Sequence, residues 1–209
     1  MANYRSSIAH LKRSDPILAQ VIEQVGPCRL QLRTEGTHFE ALTRSIVYQQ
    51  LSGKAAGTIL SRFNALYPEN APAPEQVLAT ADETLRSVGL SRQKIGYMRD
   101  LSSKVASGEL PLDAVEAMDD DDLIAHLIQV KGIGRWTAQM FLMFRLGRLD
   151  VLPILDLGIQ NAVKKAYRLR KRPTPARLEK IGAKWRPHAS VASWYLWRSL
   201  DNGDGQLGD

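Results

Sequence analysis

Residues 128–140 read Ile-Gln-Val-Lys-Gly-Ile-Gly-Arg-Trp-Thr-Ala-Gln-Met. Gly132 and Gly134 stand one residue apart between two segments whose apolar residues recur at helical spacing, which predicts a tight turn joining two helices. In such a turn the amides of both glycines and of the next helix's first turn point outward without partners. Unpaired amides at a helix N-terminus form a seat for a phosphate. The stretch therefore predicts a phosphate-binding helical hairpin.

The composition indicates an ordinary globular protein whose charge suits a polyanionic partner. The 209 residues are 44% hydrophobic and 24% charged, with a net charge of +6; many basic proteins nevertheless bind no nucleic acid. Cys28 is the single cysteine, which excludes an internal disulfide, a multi-cysteine zinc site and a cysteine-ligated iron–sulfur cluster. The sequence shows no apolar run of membrane-spanning length and no signal-peptide pattern, so we expect a soluble intracellular protein without a membrane partner.

Nearly the whole chain is patterned for helices, which predicts an all-α protein. The segments with helical periodicity are 17–25, 38–50, 53–67, 75–88, 91–108, 123–128, 135–146, 156–169, 178–185 and 189–200. Residues 29–37 are extended or loop and are too few to build a sheet. We interpret the acidic run Asp119–Asp122 as a solvated helix start rather than as a metal site.

Two motifs resemble one known family. Val130-Lys-Gly-Ile-Gly-Arg-Trp-Thr-Ala138, followed by Val151-Leu-Pro-Ile-Leu-Asp-Leu-Gly158, is similar to the hairpin and downstream aspartate of the helix-hairpin-helix DNA glycosylase superfamily, in particular its 3-methyladenine DNA glycosylase II branch. The resemblance implies a single all-α domain over residues 1–209, a two-lobed helical bundle with a DNA cleft and no N-terminal β domain. The expected parts are lobe one (1–37 and 151–200), lobe two (38–150, with the hairpin at 121–146) and a flexible tail (201–209).

Asp156 is the candidate catalytic residue. An Asp just inside a helix is usually an N-cap, but here it matches the second, catalytic aspartate of the family's apolar-Pro-x-Asp-Asp-Leu-Gly pattern, with Leu155 in place of the first. The resemblance implies that this carboxylate stabilises an oxocarbenium-like sugar and orients the attacking water; Asp150 is the alternative. Trp136 occupies the position of the lysine nucleophile of bifunctional members, and indole cannot form a Schiff base, so we expect a monofunctional enzyme.

The resemblance also implies an aromatic substrate pocket. Trp136 matches a pocket-lining tryptophan of the branch, Trp197 matches an aromatic wall of the pocket, and Met140 stands where some members have a pocket tyrosine. The alternative is that tryptophans in apolar helices are core residues, which we prefer for Trp185 and Trp194. Electron-rich rings attract a cationic purine, as alkylation at N3 or N7 produces.

Further residues are expected to contact DNA. The pattern Ile46-Val-Tyr-Gln-Gln-Leu-Ser52 matches the segment that carries the branch's wedge, which fills the gap left by an extruded base; Gln50 or Leu51 is the candidate wedge, and Ser52 a helix cap. Lys164 opens a basic run, residues 164–186, with ten Lys or Arg and one Glu. The remaining candidate DNA contacts belong to the hairpin: Lys131, Gly132, Gly134, Arg135 and Thr137.

No cofactor is expected to be required, but the resemblance implies a structural Na⁺ or K⁺ at the hairpin, held by the backbone carbonyls of Ile128, Val130 and Ile133. The expected function is excision of alkylated purines, such as 3-methyladenine, from damaged duplex DNA by a monomer in base excision repair. We expect it in the cytoplasm with the bacterial nucleoid, or in a eukaryotic nucleus. The alternatives are the same chemistry on a deaminated or mismatched base, and a non-catalytic lesion-binding module.

Overall fold

The computed structural model describes residues 4–201, and this part of the chain is all-α, as predicted, with no β-strand. Most of the predicted tail lies outside the described residues. The twelve helices within residues 4–201 are α1 (Arg5–Ser14), α2 (Pro16–Val25), α3 (His38–Tyr48), α4 (Gly53–Asn64), α5 (Pro74–Ala79), α6 (Asp82–Ser87), α7 (Arg92–Ala106), α8 (Asp120–Leu127), α9 (Arg135–Phe144), α10 (Leu157–Ala166), α11 (Pro175–Gly182) and α12 (Ala189–Arg198). Single 3-10 turns occupy Pro68–Asn70, Leu112–Ala114 and Ala183–Trp185.

The helices fall into two compact units. The first, here called the Asp156 unit, contains residues 4–33 and 142–201 of the described chain, and the second, the hairpin unit, contains residues 34–141. The Asp156 unit therefore holds α1, α2 and α10–α12, and the hairpin unit holds α3–α8 and most of α9. None of the described helices combines the length and apolar character needed to cross a membrane.

The Asp156 unit is packed around tryptophan and aliphatic side chains. Trp185 is fully buried and Trp194 is 6% exposed, so the prediction that these two are core residues is confirmed. They belong to one cluster with residues of α1, α2, α10, α11 and α12. Burying a large aromatic side chain stabilises a fold by roughly 2–3 kcal/mol, so this cluster supplies the rigid base on which α10 and α12 rest.

A buried carboxylate joins several segments of this unit. Asp15 is fully buried, and it accepts hydrogen bonds from donors on three segments: the start of α2, the end of α10 and the 3-10 turn Ala183–Trp185. These donors are the amides of Ile17 and Leu18, the Trp185 indole at 2.8 Å, the Lys184 ammonium at 3.2 Å and the Tyr167 hydroxyl. Burial by itself raises the pKa of Asp15, but the hydrogen bonds outweigh it and hold the pKa below its usual value.

Replacing this carboxylate should reveal how much it contributes to the stability of the fold. Because the pKa of Asp15 is lowered in the folded protein, this stabilisation is present above the unfolded pKa of about 4 and is lost as the pH falls through the folded pKa. We expect Asp15→Asn to lower the free energy of unfolding at pH 7 by about 3 kcal/mol, because the amide donates where the site needs an acceptor. Urea unfolding measures the free energy of unfolding of both proteins, and the difference between them should be smaller at pH 3 than at pH 7.

The exposed Asp113, in the 3-10 turn Leu112–Ala114, provides the control. Asp113→Asn should unfold like the unsubstituted protein at both pH values. An Asp15→Asn variant with unchanged stability at pH 7 would show that the buried hydrogen bonds contribute nothing net.

One predicted helix is wrong. Residues 75–88 form two short helices, α5 and α6, that break at Thr80, whose backbone is extended. The Thr80 hydroxyl donates to the Gln76 carbonyl at 2.8 Å, which offers the backbone an alternative to continuing the helix. Arg99 of α7 then donates, over 2.5–2.7 Å, to four acceptors at the break: the carbonyls of Val77, Leu78 and Thr80 and the carboxylate of Asp82. The break is thus stabilised from a different helix.

Candidate active site and DNA-binding surface

Asp156 lies at the N-terminus of α10, where its carboxylate accepts two N–H groups. Its Oδ1 accepts the Ile159 amide at 2.7 Å and the indole N–H of Trp197, from α12, at 3.0 Å. The N-cap interpretation is therefore confirmed, and a cap of this kind contributes about 1 kcal/mol to helix stability. The Ile159 amide alone satisfies the cap, so the hydrogen bond from the Trp197 indole is additional. Because it comes from a ring anchored in another helix, it fixes the direction of the carboxylate.

The ring of Trp197 is itself held in place. Phe144 stacks against it, with ring centroids 6.1 Å apart and planes inclined by 30°. Gly158 allows its close approach, because a Cβ there would lie 3.0 Å from Asp156 Oδ1 and 3.1 Å from Trp197 Cδ1. Sequence reasoning identified neither Phe144 nor Gly158 as part of the site. Gly158 stands inside the quoted motif, but no sequence signal shows which ring covers it.

Other predicted residues of this unit are placed differently. The carboxylate of Asp150, the alternative catalyst, is bound by Arg186 at 2.8 Å and lies 3.4 Å from the Ala189 amide, so it joins two segments of the unit. Lys164 lies exposed in the last turn of α10. Leu155 is 58% exposed beside Asp156, so the surface around the carboxylate is partly apolar.

We expect Gly158→Ala to separate activity from stability. Alanine favours the helix by up to about 1 kcal/mol, but its Cβ crowds Trp197 and should displace the indole N–H from Asp156. The turnover number of any reaction at Asp156 should fall about tenfold or more while the melting temperature stays level or rises. Gly96→Ala in α7 is the matched control, since a Cβ at 96 meets nothing within 4 Å. Equal activity in both variants would contradict the positioning role of the Trp197 contact.

The hairpin turn, residues 128–134, joins α8 to α9 and has the expected backbone. Gly132 has φ +84°, in the left-handed region, and a Cβ there would lie 2.2 Å from the ring of Tyr97. Among the hydrogen bonds of the described residues, none uses the amides of Gly132, Gly134 or Arg135. The Lys131 amide, in contrast, donates to the Asp100 carboxylate at 2.9 Å. The turn thus offers outward donors of the kind that bind a phosphate.

The side chains around this turn are mainly exposed. Arg135 is exposed and its guanidinium lies 3.7 Å from the carboxylate of Asp121, itself 94% exposed, so this ion pair is weak and easily replaced. Thr137, in the first turn of α9, is 8% exposed, so its side chain is largely buried. Trp136 is 51% exposed in the first turn of α9, and Met140 is partly buried one turn later. That Trp136 and Met140 contact a substrate stays a prediction.

The two glycines of the turn should respond differently to alanine. Gly132→Ala should destabilise the protein by at least about 1 kcal/mol, because the positive φ and the Tyr97 ring both oppose a Cβ. A Cβ at Gly134 meets nothing within 4 Å, so Gly134→Ala should leave stability unchanged, but we expect its methyl group to obstruct a phosphate at the amides and to weaken DNA binding. Thermal melting and DNA-binding titrations would test this pair. Loss of stability in Gly134→Ala, or none in Gly132→Ala, would contradict the geometry.

The predicted wedge lies in a strained turn, residues 48–51, here called the Gln50 turn. Gln49 has φ −56° and ψ 130°, Gln50 has φ +58°, and the Leu51 amide lies 3.4 Å from the Tyr48 carbonyl. This is a type II turn, which usually has Gly or Asn where this chain has Gln50. The left-handed conformation costs a residue with a Cβ about 1 kcal/mol, so other contacts must hold it. Gln50 is exposed, and Leu51 is 39% exposed.

Two side chains, those of Gln49 and Lys94, hold the Gln50 turn. The Gln49 amide group donates to the Gly132 carbonyl at 2.7 Å, which joins this turn to the hairpin turn. Lys94 of α7 donates to the carbonyls of Val47 and Gln49 at 2.7 and 2.8 Å. Burial lowers the pKa of Lys94. Sequence reasoning missed Gln49 and Lys94 because a Gln beside a loop and a Lys in a first helical turn resemble surface residues.

Comparison with known proteins agrees with this geometry. A family model described as the HhH-GPD superfamily of base excision DNA repair proteins matches residues 43–188. The chain belongs to this superfamily, and the resemblance to its 3-methyladenine branch is confirmed.

One similar protein and two solved structures match this chain over almost their whole length. DNA-3-methyladenine glycosylase 1 of Schizosaccharomyces pombe is 35% identical over 198 residues, which cover 93% of this chain and 87% of that protein. The solved structure of a 3-methyladenine DNA glycosylase of S. pombe in complex with abasic DNA matches with a TM-score of 0.81 at 34% identity, covering 92% of this chain and 95% of that one. A DNA-3-methyladenine glycosidase structure from Bacillus halodurans matches with a TM-score of 0.83 at 38% identity, covering 94% and 90%.

Proposed function

We propose that this chain is a monofunctional DNA glycosylase of base excision repair, which extrudes alkylated purines such as 3-methyladenine from duplex DNA and hydrolyses their N-glycosidic bond. The observation that carries the proposal is the Asp156 carboxylate, held at 3.0 Å by the indole N–H of Trp197 at the start of α10. The relatives' names agree, since several are 3-methyladenine glycosylases. The substrate places the protein where a cell keeps its DNA, in the nucleoid or the nucleus.

Asp156 supplies the charge that the reaction needs. As the C–N bond breaks, its electron pair leaves with the base and positive charge develops on the deoxyribose, which a nearby carboxylate stabilises. The carboxylate then orients a water molecule, whose oxygen bonds to the sugar carbon while its proton passes to the carboxylate. The products are a free base and an abasic site. A carboxylate fixed by Ile159 and Trp197 enters this step without reorganising.

The substrate class follows from charge. Alkylation at N3 or N7 makes a purine cationic and weakens its glycosidic bond, so modest stabilisation by one carboxylate suffices. Aromatic faces attract such a cation by about 1–2 kcal/mol when water is excluded. The indole of Trp197 lies beside the carboxylate, and that of Trp136 is half exposed.

The hairpin turn holds the strand in this proposal. Its unpaired amides receive a phosphate, with Lys131 and Arg135 alongside, and Lys164 contacts another phosphate from α10; each such contact steepens the salt dependence of binding. The carbonyls of Ile128 and Ile133 accept no hydrogen bond from the described residues, and that of Val130 accepts one, from the Ile133 amide, and retains a second lone pair.

Available carbonyl oxygens are suitable ligands for Na⁺ or K⁺, so these three would hold a monovalent cation that would add positive charge beside the phosphate seat. The described residues contain no group of three or more His, Cys, Asp or Glu placed to bind a metal ion. Gln50 or Leu51 fills the gap left by the extruded base, and the amide of Gln50 suits hydrogen bonding to the orphaned partner base.

Asp156→Asn should abolish base release while keeping affinity for lesion DNA. Asparagine still accepts the Ile159 amide as an N-cap, so the fold should be retained, but it carries no charge. We expect the release of methylated purines from a methylated duplex to fall by at least about 10³-fold, with binding of the same duplex within about twofold.

Asp150→Asn distinguishes the two candidate acids, because it should keep excision if Asp156 is the catalyst. Borohydride should trap no covalent protein–DNA adduct with the unsubstituted chain. Unimpaired excision by Asp156→Asn would remove Asp156 from the mechanism, and a trapped adduct would contradict the monofunctional assignment. Release of deaminated or mismatched bases alone would favour another lesion class, and release of none would favour a binding module.

A further inference from the structure

Helix α7 supports the Gln50 turn through one lysine. The ammonium group of Lys94 lies within 2.7–2.8 Å of two carbonyls, those of Val47 and Gln49, at the end of α3. Carbonyls at a helix C-terminus lack partners within the helix, and a cation there also complements the helix dipole. Lys94 forms no ion pair with any carboxylate of the described chain. The Lys94 ammonium group therefore binds backbone carbonyls that lead into Gln50.

The same helix supports the hairpin turn. Asp100 accepts the Lys131 amide at 2.9 Å, and the Tyr97 ring covers Gly132 so closely that a Cβ has no room. The Gln49 side chain adds a direct bond to the Gly132 carbonyl at 2.7 Å. The two turns are therefore held by one rigid element and by each other, all within the hairpin unit.

We propose that Lys94, together with Gln49, is a positioning residue for base extrusion that holds the Gln50 turn in its left-handed conformation before DNA binds. This deepens the proposed function and rests on it, because extrusion matters only if the chain acts on a base inside a duplex. A residue with a Cβ leaves the left-handed region when nothing holds it there. With Lys94 in place, the turn is ordered beforehand, and DNA binding energy is not consumed in ordering it.

Lys94→Met tests this, because it keeps an unbranched side chain of similar length but removes the ammonium group. The matched control is Lys104→Met in the same helix, whose ammonium lies 3.1 Å from the exposed Glu109 and touches neither turn. We expect single-turnover release of methylated purines from a duplex to fall about tenfold or more in Lys94→Met, with affinity for undamaged duplex within about twofold. Lys104→Met should match the unsubstituted protein in both measurements.

A double-mutant cycle with Gln50→Ala separates positioning from general destabilisation. If Lys94 acts through Gln50, Lys94→Met should lower excision by less than about twofold in the Gln50→Ala background, because the side chain it positions is already absent. Equal losses in both backgrounds, or unchanged excision in Lys94→Met alone, would overturn the proposal. A loss of affinity for undamaged duplex equal to the loss of excision would also overturn it.

Hydrogen exchange tests the role of Lys94 in the free protein, without requiring any excision activity. If the unsubstituted protein released no base from any duplex, the proposed function would fail, and the role of Lys94 would be decided in the free protein. Lys94→Met should then speed exchange of the Leu51 amide, which closes the Gln50 turn onto the Tyr48 carbonyl at 3.4 Å. Lys104→Met should not. An equal exchange rate of this amide in all three proteins would contradict the proposal that Lys94 orders the turn before DNA binds.

Discussion

The buried carboxylate of Asp15 is the interaction on which the Asp156 unit depends. It caps α2, binds Tyr167 at the end of α10 and binds Trp185 in the turn that precedes α12. Asp156 caps the start of α10, and Trp197 lies in α12. Because a buried charge is tolerated only when its hydrogen bonds are made, the segments are held in one arrangement. The 3.0 Å contact between the indole and the candidate catalytic carboxylate is made possible by this arrangement.

In the hairpin unit, the groups available for binding belong to the backbone. Its turn at Gly132 presents amides that no described residue uses, while the carbonyls that lead into Gln50 are bound by Lys94. Donors for an anion are thus left available at one turn, whereas the carbonyls of the neighbouring turn are already bound. In the Asp156 unit the important bond joins two side chains; here the important groups belong to the main chain, where the residue types matter mainly for the conformation that they allow.

Local patterns were sufficient for the fold class and for most of the helices. The helix cap at Ser52 and the turn at Gly132 were predicted because capping and positive φ depend on a few adjacent residues. The break at Thr80 was not, because Arg99 stabilises it from another helix. Helix α1 was not predicted either, since it has few apolar residues. The contact of Gly158 with a distant ring depends on tertiary packing, which a single sequence does not display.

The cations of the hairpin turn already have carboxylate neighbours. Lys131 lies 3.8 Å from Asp100, and Arg135 lies 3.7 Å from Asp121. A backbone phosphate that reaches the turn must compete with these acids, so the net electrostatic gain is smaller than the positive charge alone suggests. A smaller electrostatic gain shortens the residence time on intact DNA. A repair protein with this arrangement can leave undamaged sequence quickly and search many positions between lesions.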